Sequence, residues 1–165
     1  LMQGYAERAV FTRDEVRLYS RARRASGALF GADFDAVRCH ELARAFGEVL
    51  GLPHQDGRFQ GVEHTWLWTR PISPEELRAN EWEVSNPPNV LDVYVPGMVP
   101  IVALLDYSSW TLPWRHLYVP GPERTDVLVD EVATLVAVIR MVEREIDATA
   151  SEITERVRAR RKPRG

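Results

Sequence analysis

Between residues 37 and 68 the apolar residues change their period, and this limits the fold more than any other feature of the chain. Val37, Cys39, Leu42, Ala43, Phe46, Val49 and Leu50 recur at three- and four-residue steps, the spacing of one helix face. Asp33 or Asp35 can cap that helix, which puts Cys39 about four residues inside it. Gly51, with Pro53 just beyond, can close it. The window GVEHTWLWT, from Gly61, then alternates, so that Val62, His64, Trp66 and Trp68 share one face of a strand. A helical stripe followed by alternating segments needs a sheet to cover it.

The remaining segments extend this reading. Residues 13–25 form a short amphipathic helix with Val16, Leu18 and Tyr19 inward, and Ser26 and Gly27 break it. Ser73-Pro74-Glu75-Glu76 starts a short helix ending near Asn80, because serine caps and Glu76 can reach back to the cap amide. NPPN at 86–89 is a turn or extended segment. In NVLDVYV, residues 89–95, Val90, Asp92 and Tyr94 share a face, while the apolar run 99–105 predicts a central strand. Residues 106–124 are irregular apart from a short strand at 117–119. From Thr125 a helical stripe through Leu128, Val132, Leu135, Ile139, Val142, Ile146, Ile153 and Val157 persists for about thirty residues. Helices, strands and a final helix make the class α+β with a mainly antiparallel sheet. Residues 1–150 form one domain, and 151–165 extend its last helix into a basic tail.

Composition excludes several classes. No apolar run nears the roughly 18 residues of a membrane span. Cys39 is the only cysteine, so there is neither an internal disulfide nor a multi-cysteine zinc site. LMQGYAERAV lacks a signal-peptide layout, and a cytoplasmic location is expected. Residues 1–155 hold 15 Arg and 24 acidic groups, a balance of −9; five Arg and Lys162 in the last ten residues return +6. An acidic body argues against nucleic acid as the main partner. Twenty arginines to one lysine point to a GC-rich, bacterial source genome.

Three residues could do chemistry together: Cys39 early in a helix, His64 on the first strand and Asp92 on the next. Thiol attack on an amide or ester needs a thiolate, an imidazole to take its proton and an acceptor to orient that imidazole. A helix start favours the thiolate, and adjacent antiparallel strands bring His64 and Asp92 within reach. An aspartate inside VLDVYV is costly unless something pairs with it. His40 is expected to face solvent, and His54 and His116 to be loop residues without a role. Trp66, Trp68 and Tyr94 are candidates for lining a substrate cleft. No glycine-rich phosphate loop occurs, and neither a metal nor another cofactor is expected.

RCHELARAFGEVLGLPHQDGRFQGVEHTWLW followed by NVLDVYV resembles the core of transglutaminase-like cysteine enzymes, within the broader papain-like group. In that family a cysteine heads a helix ending in a Gly-Ile/Leu-Pro turn. A strand with histidine before an aromatic follows, then a strand carrying aspartate. The matching pieces are Cys39, Gly51-Leu52-Pro53, His64 with Trp66, and Asp92, across residues 35–105. The helix at 74–80 fits as an insertion, and no upstream tryptophan or nearby glutamine marks an oxyanion donor; Gln3, Tyr5, Tyr19 and the Cys39 amide are the alternatives. The resemblance implies a papain-like core and a Cys-His-Asp acyl transfer through a thioester, of peptidase, transglutaminase, deamidase or amide hydrolase type. Its substrate would be a peptide or amide. The alternative is a non-catalytic binding or assembly protein of the same fold. The uncovered stripe past Ala150 predicts self-association through the last helix.

Overall fold

The computed structural model describes residues 11–29, 37–79, 88–96, 102–107 and 117–161. Helix α1 is Arg13–Leu29, α2 Cys39–Leu50 and α3 Pro74–Ala79; the last helix, α4, is Val129–Arg161. The strands are β1 His54–Phe59, β2 Val62–Trp68, β3 Val90–Asp92, β4 Ala103–Leu105 and β5 Tyr118–Pro120. They form one five-stranded sheet in the order β4-β3-β2-β1-β5, and every pairing is antiparallel.

Helix α1 opens on a capping box, with the Glu15 N–H donating to Thr12 Oγ1 at 3.1 Å and the Thr12 N–H to Glu15 Oε1 at 3.0 Å. It runs through Ser26 and Gly27, where a break was expected. Ala22, Ala25 and Ser26 form its buried face, and small residues there allow close packing that outweighs their propensity. Val16 was expected inward but is 46% exposed.

Helix α2 starts at Cys39, so the cysteine occupies the first turn rather than the second. Asp33 and Asp35 lie outside the described residues. Gly51 closes the helix with φ 71°, the left-handed conformation that its missing Cβ permits. β1 and β2 form a hairpin whose two turn residues, Gln60 (φ 50°) and Gly61 (φ 78°), match the right-handed twist of the strands. β1 was not expected, since HQDGRF has no apolar alternation. The capped helix at 74–79 is as expected: the Glu76 N–H donates to Ser73 Oγ and the Ser73 N–H to Glu76 Oε2, each at 3.1 Å.

The 99–105 run yields β4 at a sheet edge, not a central strand. Among the described residues it pairs only with β3; Leu105 packs against the core of Trp66, Trp68 and Tyr118, and α1 approaches the strand. Residues 97–101 lie outside the described residues. Two cores flank the sheet. On one side Leu42, Ala43 and Phe46 of α2 meet Leu67, Leu91, Val93 and Ile139. On the other, Trp66, Trp68, Val90, Tyr107 and Tyr118 pack together. Trp66 and Trp68 are 0% and 2% exposed, which removes both from any cleft wall. Helix α4 buries Val136, Ile139 and Val142 against α2 and α1, whereas residues 151–161 are exposed throughout. No helix among the described residues is long and apolar enough to cross a membrane.

Gly57 carries the close approach of β1 to β5. A Cβ there would collide with the Val119 carbonyl oxygen and lie 2.7 Å from Trp66 Cη2. Gly57→Ala should therefore cost about 3 kcal/mol, because backbone cannot yield as a side-chain tip can. Urea unfolding checks this, and an unchanged midpoint would show that β5 is not held where the structure places it.

Candidate active site

His64 and Asp92 come together because β2 and β3 pair in a defined register. Leu67 lies opposite Leu91, which puts His64 and Asp92 on the same face as diagonal neighbours. His64 Nε2 lies 2.7 Å from Asp92 Oδ2, and the two side chains are 1% and 0% exposed. The Tyr118 hydroxyl donates to the same oxygen at 2.7 Å, and the Tyr94 N–H donates to Asp92 Oδ1 at 3.0 Å. Asp92 is thus a buried carboxylate with both oxygens engaged, which offsets its desolvation. Burial and then the Asp92 charge push the Tyr118 phenol far up, so it stays a donor. Phe59, Trp66 and Tyr118 surround the His64 ring at 6.1, 6.3 and 6.2 Å between centroids.

Cys39 meets this pair from the start of α2. Leu42 N–H is the first amide to bond back into the turn, at 3.1 Å from Arg38 O. The amides before it, including that of Cys39, have no carbonyl of their own helix to bond. With His64 Nε2 committed to Asp92, Nδ1 is the ring nitrogen left for the sulfur. Burial pushes the Cys39 thiol up, but hydrogen bonds to His40 and His64 and their charges outweigh it, holding the thiol at about 6. Burial pulls His64 down, and hydrogen bonds to Asp92 and Cys39 outweigh that in turn, raising it to about 9. Between those values the pair is thiolate and imidazolium.

His40 is not where the sequence reading put it. It is 7% exposed, because the sheet and α4 cover α2 on two sides, and its Nδ1 lies 2.7 Å from Thr65 Oγ1. Nδ1 is also 3.6 Å from Cys39 Sγ. Thr65 donates onward to Asp56 Oδ1 at 2.6 Å, and Arg44 grips both Asp56 oxygens at 3.0 and 2.5 Å. Burial pushes Asp56 up, but Arg44, Thr65 and the Arg124 amide bring it down to about 2.

His54 lies on β1, not in a loop, and its Nε2 is 2.9 Å from Glu123 Oε1. His54, Asp56 and Glu123 are the one set with metal-like spacing among the described residues, yet Arg44 already occupies both Asp56 oxygens. Tyr94 is half-buried against the α2-side core, as is Tyr19. Gln3, Tyr5 and His116 lie outside the described residues. Sequence reasoning missed Tyr118 and the depth of His40. The tyrosine's only signal was an aromatic residue inside a short strand of an irregular region.

No protein-family model matches this chain, nor does any curated protein or solved structure.

The lowered thiol fixes the direction of a pH test. Iodoacetamide should alkylate native Cys39 with a rate that rises through about pH 6. In His64→Ala that midpoint should move toward the ordinary thiol value of about 8.5. A native midpoint already near the ordinary value would mean that no ion pair forms.

Proposed function

We propose that this chain is a cysteine-dependent acyl-transfer enzyme with a transglutaminase-like, papain-like core, acting on a peptide or amide. The observation that carries the reading is the buried hydrogen bond between His64 and Asp92 at 2.7 Å, with the Cys39 thiol at a helix start beside it. A purely structural core has little use for a sealed imidazole–carboxylate pair next to a partly exposed thiol. The left-handed Gly51 before Leu52-Pro53 also agrees with the family resemblance.

In this mechanism the Cys39 thiolate attacks the substrate carbonyl carbon, and a C–S bond forms as the carbonyl electrons move to oxygen. The Cys39 N–H at the start of α2, which has no carbonyl of its own helix to bond, is the donor for that developing charge. As the oxyanion collapses, the C–N or C–O bond breaks, and His64 Nδ1–H protonates the leaving group. Water or an amine then attacks the thioester, His64 takes its proton, and the thiolate leaves. Asp92 keeps Nε2–H in place throughout, and Tyr118 holds Asp92. A thiol that must stay reduced suits the cytoplasm, and the mechanism uses no cofactor.

Activated esters such as p-nitrophenyl acetate provide the test. The intact chain should release p-nitrophenol with an acyl-enzyme burst, and Cys39→Ala should abolish the burst. Asp92→Asn should lower turnover by about a hundredfold or more while the fold persists. The profile should be bell-shaped: turnover needs the thiolate above about 6 and the imidazolium below about 9. Release that survives in Cys39→Ala would sink the proposal.

A second reading, assembly, is favoured by the outer half of α4. Ile153 and Val157 are 57% and 44% exposed on a helix whose described residues past 150 are exposed throughout. Glu145 and Asp147 precede this stretch, and Arg158 and Arg161 end it. Two copies crossing antiparallel near Ile153 would set each acidic pair beside the other copy's arginines. Light scattering should show a dimer that weakens with salt and is lost in Ile153→Glu. A monomer at high micromolar concentration rules assembly out and leaves the enzymatic reading untouched.

A further inference from the structure

The enzymatic reading uses one of the two histidines that touch Cys39; the other has its own train of partners. Asp56 is held ionised by Arg44 on both oxygens and by the Arg124 N–H at 2.9 Å, so it has no hydrogen to give. The single hydroxyl hydrogen of Thr65 therefore goes to Asp56, at 2.6 Å. Thr65 Oγ1 then meets His40 only as an acceptor, and the 2.7 Å contact requires a hydrogen on His40 Nδ1. That hydrogen is present in either charge state of the ring. The same nitrogen lies 3.6 Å from the Cys39 sulfur, within reach of a shared, three-centre hydrogen bond.

We infer that His40 is a positioning residue for the nucleophile: the Arg44–Asp56–Thr65 chain fixes its ring so that Nδ1–H supports the Cys39 thiolate alongside His64. The inference rests on the reading of Cys39 as a nucleophile and adds a second donor to it. No bond to substrate is made by His40, and no proton leaves it. The charged groups around the ring are Cys39 and Arg44 from α2, Asp56 from β1, Glu63 from β2 and Arg124 from the segment before α4. Arg124 is itself engaged with Glu63 at 2.7 Å and Asp126 at 2.8 Å. That leaves His40 as the donor among these groups that reaches the sulfur.

The test follows thiolate formation by ultraviolet absorbance and by iodoacetamide rate across pH. It uses the intact protein, His40→Leu, His40→Asn, Thr65→Val and His64→Ala. His40→Leu should move the thiol midpoint up by about one pH unit, the worth of one hydrogen bond to an anion. His40→Asn should restore most of the shift, because its amide N–H falls near the Nδ1 position. Thr65→Val keeps the volume, frees the ring to turn and should move the midpoint in the same direction by less. Coincident curves for His40→Leu and the unsubstituted protein, with His64→Ala displaced, overturn this inference and leave the acyl-transfer reading standing. An unsubstituted midpoint near that of an ordinary thiol overturns both. If the His40 variants fail to fold, the ring ¹⁵N shifts of the unsubstituted protein decide. Hydrogen on Nδ1 supports the inference, and hydrogen on Nε2 alone overturns it.

Discussion

Asp56 is a carboxylate taken out of water at 3% exposure, and the rest of the molecule is arranged to tolerate it. Removing one partner from such a charge costs about 3–5 kcal/mol, so the groups that satisfy it are held where they are. Those groups come from three places: Arg44 from α2, Thr65 from β2 and the Arg124 amide from the segment leading to α4. One side chain on β1 thereby ties the helix that carries Cys39, the sheet and the base of the last helix together. Glu41, 0% exposed, repeats the device in the first turn of α2, accepting from Arg38 and from the Leu128 N–H.

The period of two along β2 distributes the polar groups of this scaffold between two faces. His64 and Thr65 are consecutive and so point to opposite faces of the sheet. On one face His64 meets Asp92 and Tyr118; on the other Thr65 meets His40 and Asp56. Each face sets a buried carboxylate near an imidazole, Asp92 by His64 and Asp56 by way of Thr65 near His40, and both imidazoles reach Cys39 at the start of α2. In the proposed chemistry the two differ in what they can do. His64 exchanges its Nδ1 proton with the sulfur and the leaving group, whereas the hydrogen on His40 Nδ1 is held by Thr65 Oγ1, a neutral hydroxyl too weakly basic to take it.

Much of this was legible because it is local. Turn chemistry marked Gly51 and the Ser73–Glu76 box, periodicity marked α2, β2 and α4, and a charge inside VLDVYV marked Asp92. The expected pairing of His64 with Asp92 is present in the geometry. What could not be read depends on contacts distant in sequence. β1 is held by ladders on both sides and by Asp56, so it needs no apolar alternation. Trp66 and Trp68 looked like cleft walls, but a second core with Tyr107 and Tyr118 covers them. His40 lay off the apolar stripe of α2, and its burial depends on the sheet, where Thr65 meets its ring, and on the packing of α4 against the same helix.

The segment from Tyr118 to Leu128 has a consequence for how the protein is made. Tyr118 completes the hydrogen bonds of Asp92, the Arg124 amide those of Asp56, and the Leu128 amide those of Glu41. Cys39 leaves the ribosome about eighty residues before the first of these contacts can form. Non-local pairing of this kind is slow and late. During synthesis the Cys39 thiol is therefore an ordinary one, and the contacts that complete its surroundings form only after Leu128 has emerged. In the proposed chemistry, topology alone withholds the nucleophile from the nascent chain.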